Sequence, residues 1–137
     1  MKLLLTSAGV NNPSIRATLV ELLGKPIEES NALAIPTAGW GSTYGHRPTG
    51  IMKFITGTSG QPMTDLGWKS VGLLELTALP SLDRERWTAW VDEADVLLVN
   101  GGDGLYLAHW LRESGLAGLF PSLRDKVYVG FSAGSMA

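Results

Sequence analysis

The amino-acid sequence predicts a doubly wound α/β fold, a three-layer sandwich in which a mostly parallel sheet lies between two layers of helices. Three observations support this prediction. Short apolar runs of strand length recur along the chain with little polar alternation, which is typical of strands buried on both faces of a parallel sheet. Helical segments separate most of these runs. Small and glycine-rich turns follow four of them, where the chain leaves a strand.

Five segments are predicted to be strands because each is a short apolar run: residues 2–6, 32–36, 71–79, 95–100 and 127–131. The carboxyl ends of parallel strands meet at one edge of a sheet, where ligands bind in folds of this class. Four of these ends lead into small, flexible residues, at 6–9, 36–39, 100–104 and 131–134. We therefore expect a ligand-binding crevice at that edge. At the first two turns, a purely structural need for glycine is an open alternative.

Two of the predicted helices have clear signals at their ends. Asn12 is a good N-cap with Pro13 at the first helical position, and this helix is expected to end at Gly24. Asp103 can cap a second helix, which runs to Gly115.

The other helical segments are recognised from periodicity and composition. Residues 83–94 predict a helix with Trp87 and Trp90 on the face that packs into the core. Residues 39–67 are rich in Gly, Ser, Thr and Pro, which predicts a long loop that contains a short helix near residues 51–55.

Composition limits the classes of partner. With 137 residues, of which 45% are hydrophobic, the chain is expected to form one soluble α/β domain over residues 1–137. Its net charge of −2, with acids and bases mixed, gives no footprint for nucleic acid or an anionic membrane. The absence of cysteine excludes disulfides, thiolate metal sites and a cysteine nucleophile. No apolar run suits a signal peptide or a membrane span. We expect a cytoplasmic protein that takes a small partner and needs no metal or cofactor.

The last predicted strand leads directly into GFSAG, residues 130–134, which matches the G-x-S-x-G pattern of a nucleophile elbow. Small residues flank the serine in such an elbow, because the strand turns sharply into a helix and leaves the hydroxyl exposed. Ser132 is therefore the candidate nucleophile, and the Ala133 N–H is a candidate oxyanion donor. The alternatives are a serine at an ordinary tight turn, or an α/β-hydrolase esterase, although that fold normally needs a longer chain.

The turn GGDG, residues 101–104, has two interpretations. It can form the second wall of an oxyanion hole, with the N–H of Gly101 or Gly102 facing the crevice. It also resembles the phosphate-contacting loop of lipid and NAD kinases, which makes a non-catalytic module that binds a small anion or nucleotide the alternative function. The chain contains neither a P-loop nor a full G-x-G-x-x-G motif. The elbow one strand later favours acyl transfer.

Together, VLLVNGGDGLYLAHWLRESGLAGLF and VYVGFSAGSMA resemble the peptidase E family of serine peptidases, which includes aspartyl dipeptidases and cyanophycinases. The resemblance is strongest over residues 94–137 and implies a fold like that of class I glutamine amidotransferases. It also implies that Ser132 is the nucleophile and that Ala133, with Gly102 or Gly101, forms the oxyanion hole. The implied substrates are small peptides with an N-terminal aspartate, or a β-aspartyl polymer. Asp103 departs from the family, in which asparagine is usual at this position.

The resemblance places the catalytic histidine, its acidic partner and a substrate-binding arginine after the nucleophile. We therefore expect that this chain lacks the C-terminal third of the domain and is inactive alone. Within the chain, His46 is the best candidate base, His109 is a weaker one, and Arg47 could hold a substrate carboxylate but is more simply a solvated loop residue. An exposed apolar face and an open sheet edge near the C-terminal end are expected to favour a homo-oligomer or pairing with another chain.

Overall fold

The computed structural model describes residues 1–42 and 48–136, and it contains one five-stranded sheet in the order β1-β5-β4-β2-β3 with every pair parallel. The strands are β1 (Lys2–Thr6), β2 (Asn31–Ile35), β3 (Ser70–Leu73), β4 (Val96–Val99) and β5 (Val127–Phe131). The helices are α1 (Pro13–Leu23), α2 (Pro48–Thr56), α3 (Arg84–Glu93), α4 (Gly104–Glu113) and α5 (Leu116–Leu119), with short 3-10 segments between several elements. No helix in the described ranges is long and apolar enough to cross a membrane.

Two hydrophobic cores lie on opposite faces of the sheet. On one face, Leu19 of α1 and Phe54 of α2 pack against alternate strand residues such as Leu98. On the other face, Trp87 of α3 and Leu107 of α4 pack against the intervening strand residues. All four residues of β4 are buried, because this central strand has a neighbour on each side and a helical layer on each face. The predicted three-layer α/β/α architecture is confirmed.

The predicted bounds of α1 and the predicted start of α4 are also confirmed, whereas α4 ends at Glu113, before the predicted Gly115. The Asn12 side chain accepts a hydrogen bond of 2.9 Å from the Ile15 N–H, and the helix ends at Gly24 in the left-handed conformation with φ of 72°. The Asp103 carboxylate accepts one of 2.8 Å from the Tyr106 N–H, which caps α4. Each cap satisfies a backbone donor that has no partner within its own helix.

The third predicted strand was too long. The apolar run over residues 71–79 forms a strand only to Leu73, and Leu76–Ser81 is a 3-10 segment. The Thr37 hydroxyl donates to the Glu75 carboxylate over 2.5 Å and accepts from the Leu76 N–H over 3.2 Å. The Thr37 hydroxyl thus satisfies the Leu76 N–H where a sheet ladder would otherwise continue, and an apolar run does not reveal this bond.

The prediction that both tryptophans of α3 pack into the core is confirmed for Trp87 but not fully for Trp90. Trp87 is 2% exposed, whereas Trp90 is 37% exposed. Trp87 and Val91 lie one helical turn apart and enter the core, and Trp90 lies at the margin of that stripe, above the outer strand β3. β3 is an edge strand, so the sheet does not extend far enough to cover the whole indole ring.

Exposed apolar side chains mark both edges of the sheet. On the outer strand β1, Leu3 is 58% and Leu5 is 51% exposed, and the register places Leu3 beside the buried Tyr128. On the opposite edge, Leu73 of β3 is 51% exposed. The β1 leucines therefore lie uncovered, within the described residues, beside the strand that carries the elbow.

Leu98→Ala should lower the free energy of unfolding by about 2 to 5 kcal/mol, because its side chain is fully buried in the central strand and truncation leaves a cavity. Urea denaturation measures the change. The matched variant Leu105→Ala removes the same atoms from a side chain that is 86% exposed, and it should change the free energy by less than about 0.5 kcal/mol. Similar losses in the two variants would contradict the core described above.

Candidate active site

The four small-residue turns at the carboxyl ends of β1, β2, β4 and β5 surround one cavity of about 400 Å³. They contribute Ser7, Gly39, residues 100–102 and Ser132. The opposite wall comes from α2 and the segment that follows it, through Ile51, Lys53, Phe54, Ser59 and Gln61 among others. The four strands are consecutive neighbours in the sheet, so their ends converge on one crevice.

Ser132 has the backbone geometry of a nucleophile elbow. Its φ is 52°, and it is the only non-glycine residue of the described chain with a positive φ. Such a conformation costs about 1 to 3 kcal/mol, and it persists only where the surrounding structure enforces it. The serine follows the fully buried β5, its side chain is exposed, and it lines the cavity. The turn thus holds a hydroxyl at the cavity surface at the cost of local strain.

Both glycines of the G-x-S-x-G pattern are required by close backbone packing. A Cβ atom at position 130 would lie 2.5 Å from the Gly134 carbonyl oxygen. One at position 134 would overlap the Val99 carbonyl oxygen at the end of β4. Neither backbone atom can move aside as a flexible side chain would. The elbow therefore folds back on its own strand and packs against the neighbouring one.

The glycine turn after β4 packs against the elbow on one side and the β2 turn on the other. A Cβ on Gly101 would lie 3.1 Å from the Ser132 Cβ atom, so this turn borders the candidate nucleophile. Gly102 has a φ of 144°, and a Cβ there would overlap the Ala38 carbonyl group. The same carbonyl accepts a 2.9 Å hydrogen bond from the Asp103 N–H. Position 102 consequently admits only glycine without a rearrangement.

The two glycines differ as oxyanion donors. The Gly101 N–H donates to the Asn100 side-chain oxygen over 2.9 Å, so it is already occupied. The Gly102 N–H has no acceptor among residues 1–42 and 48–136. Ala133 lies in the first turn of the 3-10 segment Ser132–Ser135, where N–H groups have no acceptor within the helix. Of the three predicted donors, Gly102 and Ala133 are the better candidates.

Asp103, at the position where the sequence resemblance implies asparagine, is used as a helix cap. Its carboxylate accepts the hydrogen bond from the Tyr106 N–H at the start of α4. It is absent from the side chains that line the cavity. The negative charge of Asp103 therefore interacts with the positive end of the α4 dipole and does not face the cavity.

Two side chains that the sequence did not identify fasten the elbow to β1. The Ser135 hydroxyl donates to the Thr6 carbonyl over 2.8 Å and accepts from the Thr6 N–H over 3.1 Å. The Thr6 hydroxyl donates to the Gly130 carbonyl over 3.0 Å and accepts from the Gly9 N–H over 2.9 Å. Only the fold shows that these residues, far apart in the chain, meet at one strand end.

Tyr128 contacts the elbow from within the core. Its hydroxyl donates a 2.6 Å hydrogen bond to the Gly134 carbonyl, and its ring packs edge-on against Phe120. Burial raises the pKa of Tyr128 well above its ordinary value, so the phenol stays protonated and remains a donor. A tyrosine within an apolar strand gives no signal for this role, because its partner is a backbone atom six residues later.

The described residues do not place a base beside Ser132. His46 and Arg47, the candidates for base and carboxylate ligand, lie outside the described residues. His109 is exposed on α4, where its ring packs edge-on against Trp110 at 5.4 Å between centroids, and it does not line the cavity. Within the described ranges, no three His, Cys, Asp or Glu side chains are grouped so that they could hold a metal ion.

A comparison with protein families matches residues 3–137 to the model described as "Peptidase family S51". The chain belongs to this family. The sequence-based recognition of a peptidase E-like protein is therefore confirmed. No curated protein matches the chain.

Two solved structures have similar folds. One is a candidate peptidase E protein from Listeria monocytogenes EGD-e, with 23% identity and a TM-score of 0.66. The other is a peptidase from an acI-B1 Actinobacterium, with 23% identity and a TM-score of 0.64. Each alignment covers 98% of this S51-family chain, but only 60% and 55% of the respective neighbour. The chain thus spans less than two thirds of the length of these structures.

Ser132→Gly should be more stable than Ser132→Ala by about 1 kcal/mol, because glycine adopts a positive φ without the steric cost of a Cβ atom. Denaturant unfolding of the two variants measures the difference. The matched pair is Thr18→Gly and Thr18→Ala at an exposed position in the interior of helix α1, where the glycine variant should be less stable by about 1 kcal/mol. The same order of stabilities at both positions would show that Ser132 is not strained.

Proposed function

We propose that this S51-family protein is a serine peptidase that hydrolyses small peptides with an N-terminal aspartate through an acyl-enzyme on Ser132. The observation that carries the proposal is the strained, exposed serine at the end of β5, packed against the glycine turn of β4. Family membership and the names of the two structural neighbours support peptidase chemistry. We infer the aspartyl specificity from the resemblance in sequence to the peptidase E family. We infer a cytoplasmic location from the sequence.

The geometry suits acyl transfer in two steps. In the first, the Ser132 oxygen attacks the scissile carbonyl carbon while a base takes the hydroxyl proton. The carbonyl oxygen becomes an oxyanion, which the N–H groups of Gly102 and Ala133 can stabilise. The carbon–nitrogen bond then breaks, and the base returns the proton to the leaving amine. In the second step a water molecule attacks the ester by the same route, which releases the acid and restores the serine.

The base is the part of this mechanism that the described residues do not supply. A serine hydroxyl is a weak nucleophile until a base within hydrogen-bonding distance takes its proton. We propose that the base comes from a segment that follows the elbow in the complete enzyme, as the family resemblance implies. This chain would then supply the elbow and the oxyanion donors, and the later segment would supply the base.

An aspartate analogue with a boronic acid in place of the α-carboxyl group should form a tetrahedral adduct with Ser132. Boron accepts the serine oxygen as a Lewis acid, and the resulting anion mimics the tetrahedral intermediate in the oxyanion hole. Boron NMR on the 137-residue chain distinguishes trigonal from tetrahedral boron. The adduct should be lost in Ser132→Ala and retained in Ser122→Ala, which alters an exposed serine outside the cavity. An adduct that survives Ser132→Ala, or none with the folded protein, would contradict the proposal.

Hydrolysis of the dipeptide Asp-Leu by the 137-residue chain should be indistinguishable from that of its Ser132→Ala variant, because the described residues provide no base. Chromatography of the released leucine measures both rates. Turnover that is lost in Ser132→Ala and also in His46→Ala would instead identify His46 as the base. A nucleotide-dependent rise in melting temperature that Ser132→Ala leaves unchanged would favour the alternative, a non-catalytic binding module.

A further inference from the structure

We propose that Lys53 binds a carboxylate of the substrate in the cavity beside Ser132. This inference rests on the proposed peptidase function, since it assumes that the cavity holds a peptide. Lys53 lies on α2, in the wall opposite the four strand ends. Among the described residues that line the cavity, it alone carries a charge.

The other described residues that line the cavity are uncharged, so Lys53 determines the sign of the charge that they present to a ligand. Hydroxyl and amide side chains such as Ser7, Gln61 and Asn100 contribute polarity, and Phe54 and Phe131 contribute apolar surface. No described acidic side chain lines the cavity, so none of the described residues there repels an anion or neutralises the ammonium group. The described lining has a net positive charge, which favours an anionic ligand.

The Lys53 ammonium group has no ion-pair or hydrogen-bond partner among the described residues. Among residues 1–42 and 48–136, the one ion pair joins Lys25 to Asp95, at the start of β4 and thus at the opposite end of the sheet. The Lys53 backbone carbonyl accepts a 2.8 Å hydrogen bond from the Thr58 N–H, which does not involve the side chain. The exposed side chain keeps its ammonium group on a flexible stem that can turn towards the cavity.

A dipeptide with an N-terminal aspartate offers two carboxylates close to the scissile bond. One is the aspartate side chain, and the other is the terminal carboxylate of the leaving amino acid. The ammonium group would recognise either by the same chemistry, a charge-assisted hydrogen bond. Each can be removed from the peptide separately, by replacing aspartate with asparagine or by converting the terminal carboxylate to an amide.

The experiment measures peptide affinity, so it does not require turnover. Isothermal titration calorimetry is performed on Ser132→Ala in the 137-residue chain, with Asp-Leu, Asn-Leu and Asp-Leu amide. The affinities are compared with those of the double variant Ser132→Ala/Lys53→Met. A matched double variant carries Lys69→Met, which removes another exposed lysine. Lys69 lies immediately before β3, at the amino end of the strand and so at the end of the sheet opposite the cavity. Thermal melts verify that each variant is folded.

We expect Lys53→Met to weaken Asp-Leu binding about tenfold, as for loss of one hydrogen bond to a charged group. Lys53→Arg should retain most of the affinity, and Lys69→Met should leave it unchanged. Higher salt should weaken binding only where Lys53 is present, because an exposed ion pair is screened. If Lys53 binds the side chain, its loss should not affect Asn-Leu. If it binds the terminal carboxylate, its loss should not affect the amide.

The proposal is overturned if Lys53→Met changes the affinity for Asp-Leu by less than about twofold, or changes all three affinities equally. It is also overturned if Ser132→Ala binds none of the peptides. Neither outcome would disturb the nucleophile, because the boronate adduct tests Ser132 independently. Conversely, a missing adduct together with Lys53-dependent binding would leave the anion site intact and refute the peptidase.

Discussion

The backbone contact between the elbow and the end of β4 is the constraint on which the rest of the site depends. The Val99 carbonyl oxygen lies where a side chain at position 134 would begin, and the Gly134 carbonyl lies equally close to position 130. Two glycines make that double approach possible. The approach leaves Ser132 at the apex with a positive φ, and it brings the Ser132 Cβ beside Gly101. Packing of main chain against main chain therefore positions Ser132 and the glycine turn beside each other.

Strand order turns this local contact into a cavity. β1, β5, β4 and β2 are consecutive neighbours, and each ends in a turn of small residues, so four turns meet at one edge. Thr6 and Ser135 fix the first pair of strand ends, and Tyr128 holds the Gly134 carbonyl from within the core. A rigid support of this kind suits a reaction in which donors must already be aligned before charge develops.

The described residues give the cavity a positively charged lining. Asp103 is used as a helix cap, no described acid lines the cavity, and Lys53 contributes one positive charge. Such a lining is compatible with the proposed anionic peptide and oxyanion, but the described residues provide no base for Ser132. The chain spans only 60% and 55% of its two structural neighbours. The exposed leucines of β1 lie next to the elbow strand.

The sequence by itself determined the alternation of strands and helices, the caps at Asn12 and Asp103, and the elbow at Ser132, because each depends on residues close together in the chain. Tertiary structure decided the end of β3, since the Thr37 hydroxyl, which donates to Glu75, accepts from the Leu76 N–H in place of the sheet ladder. It also decided that Gly101 is occupied by Asn100, and that Lys53 faces the same cavity as the serine. These features follow from strand order and from partners distant in sequence, which no local pattern records.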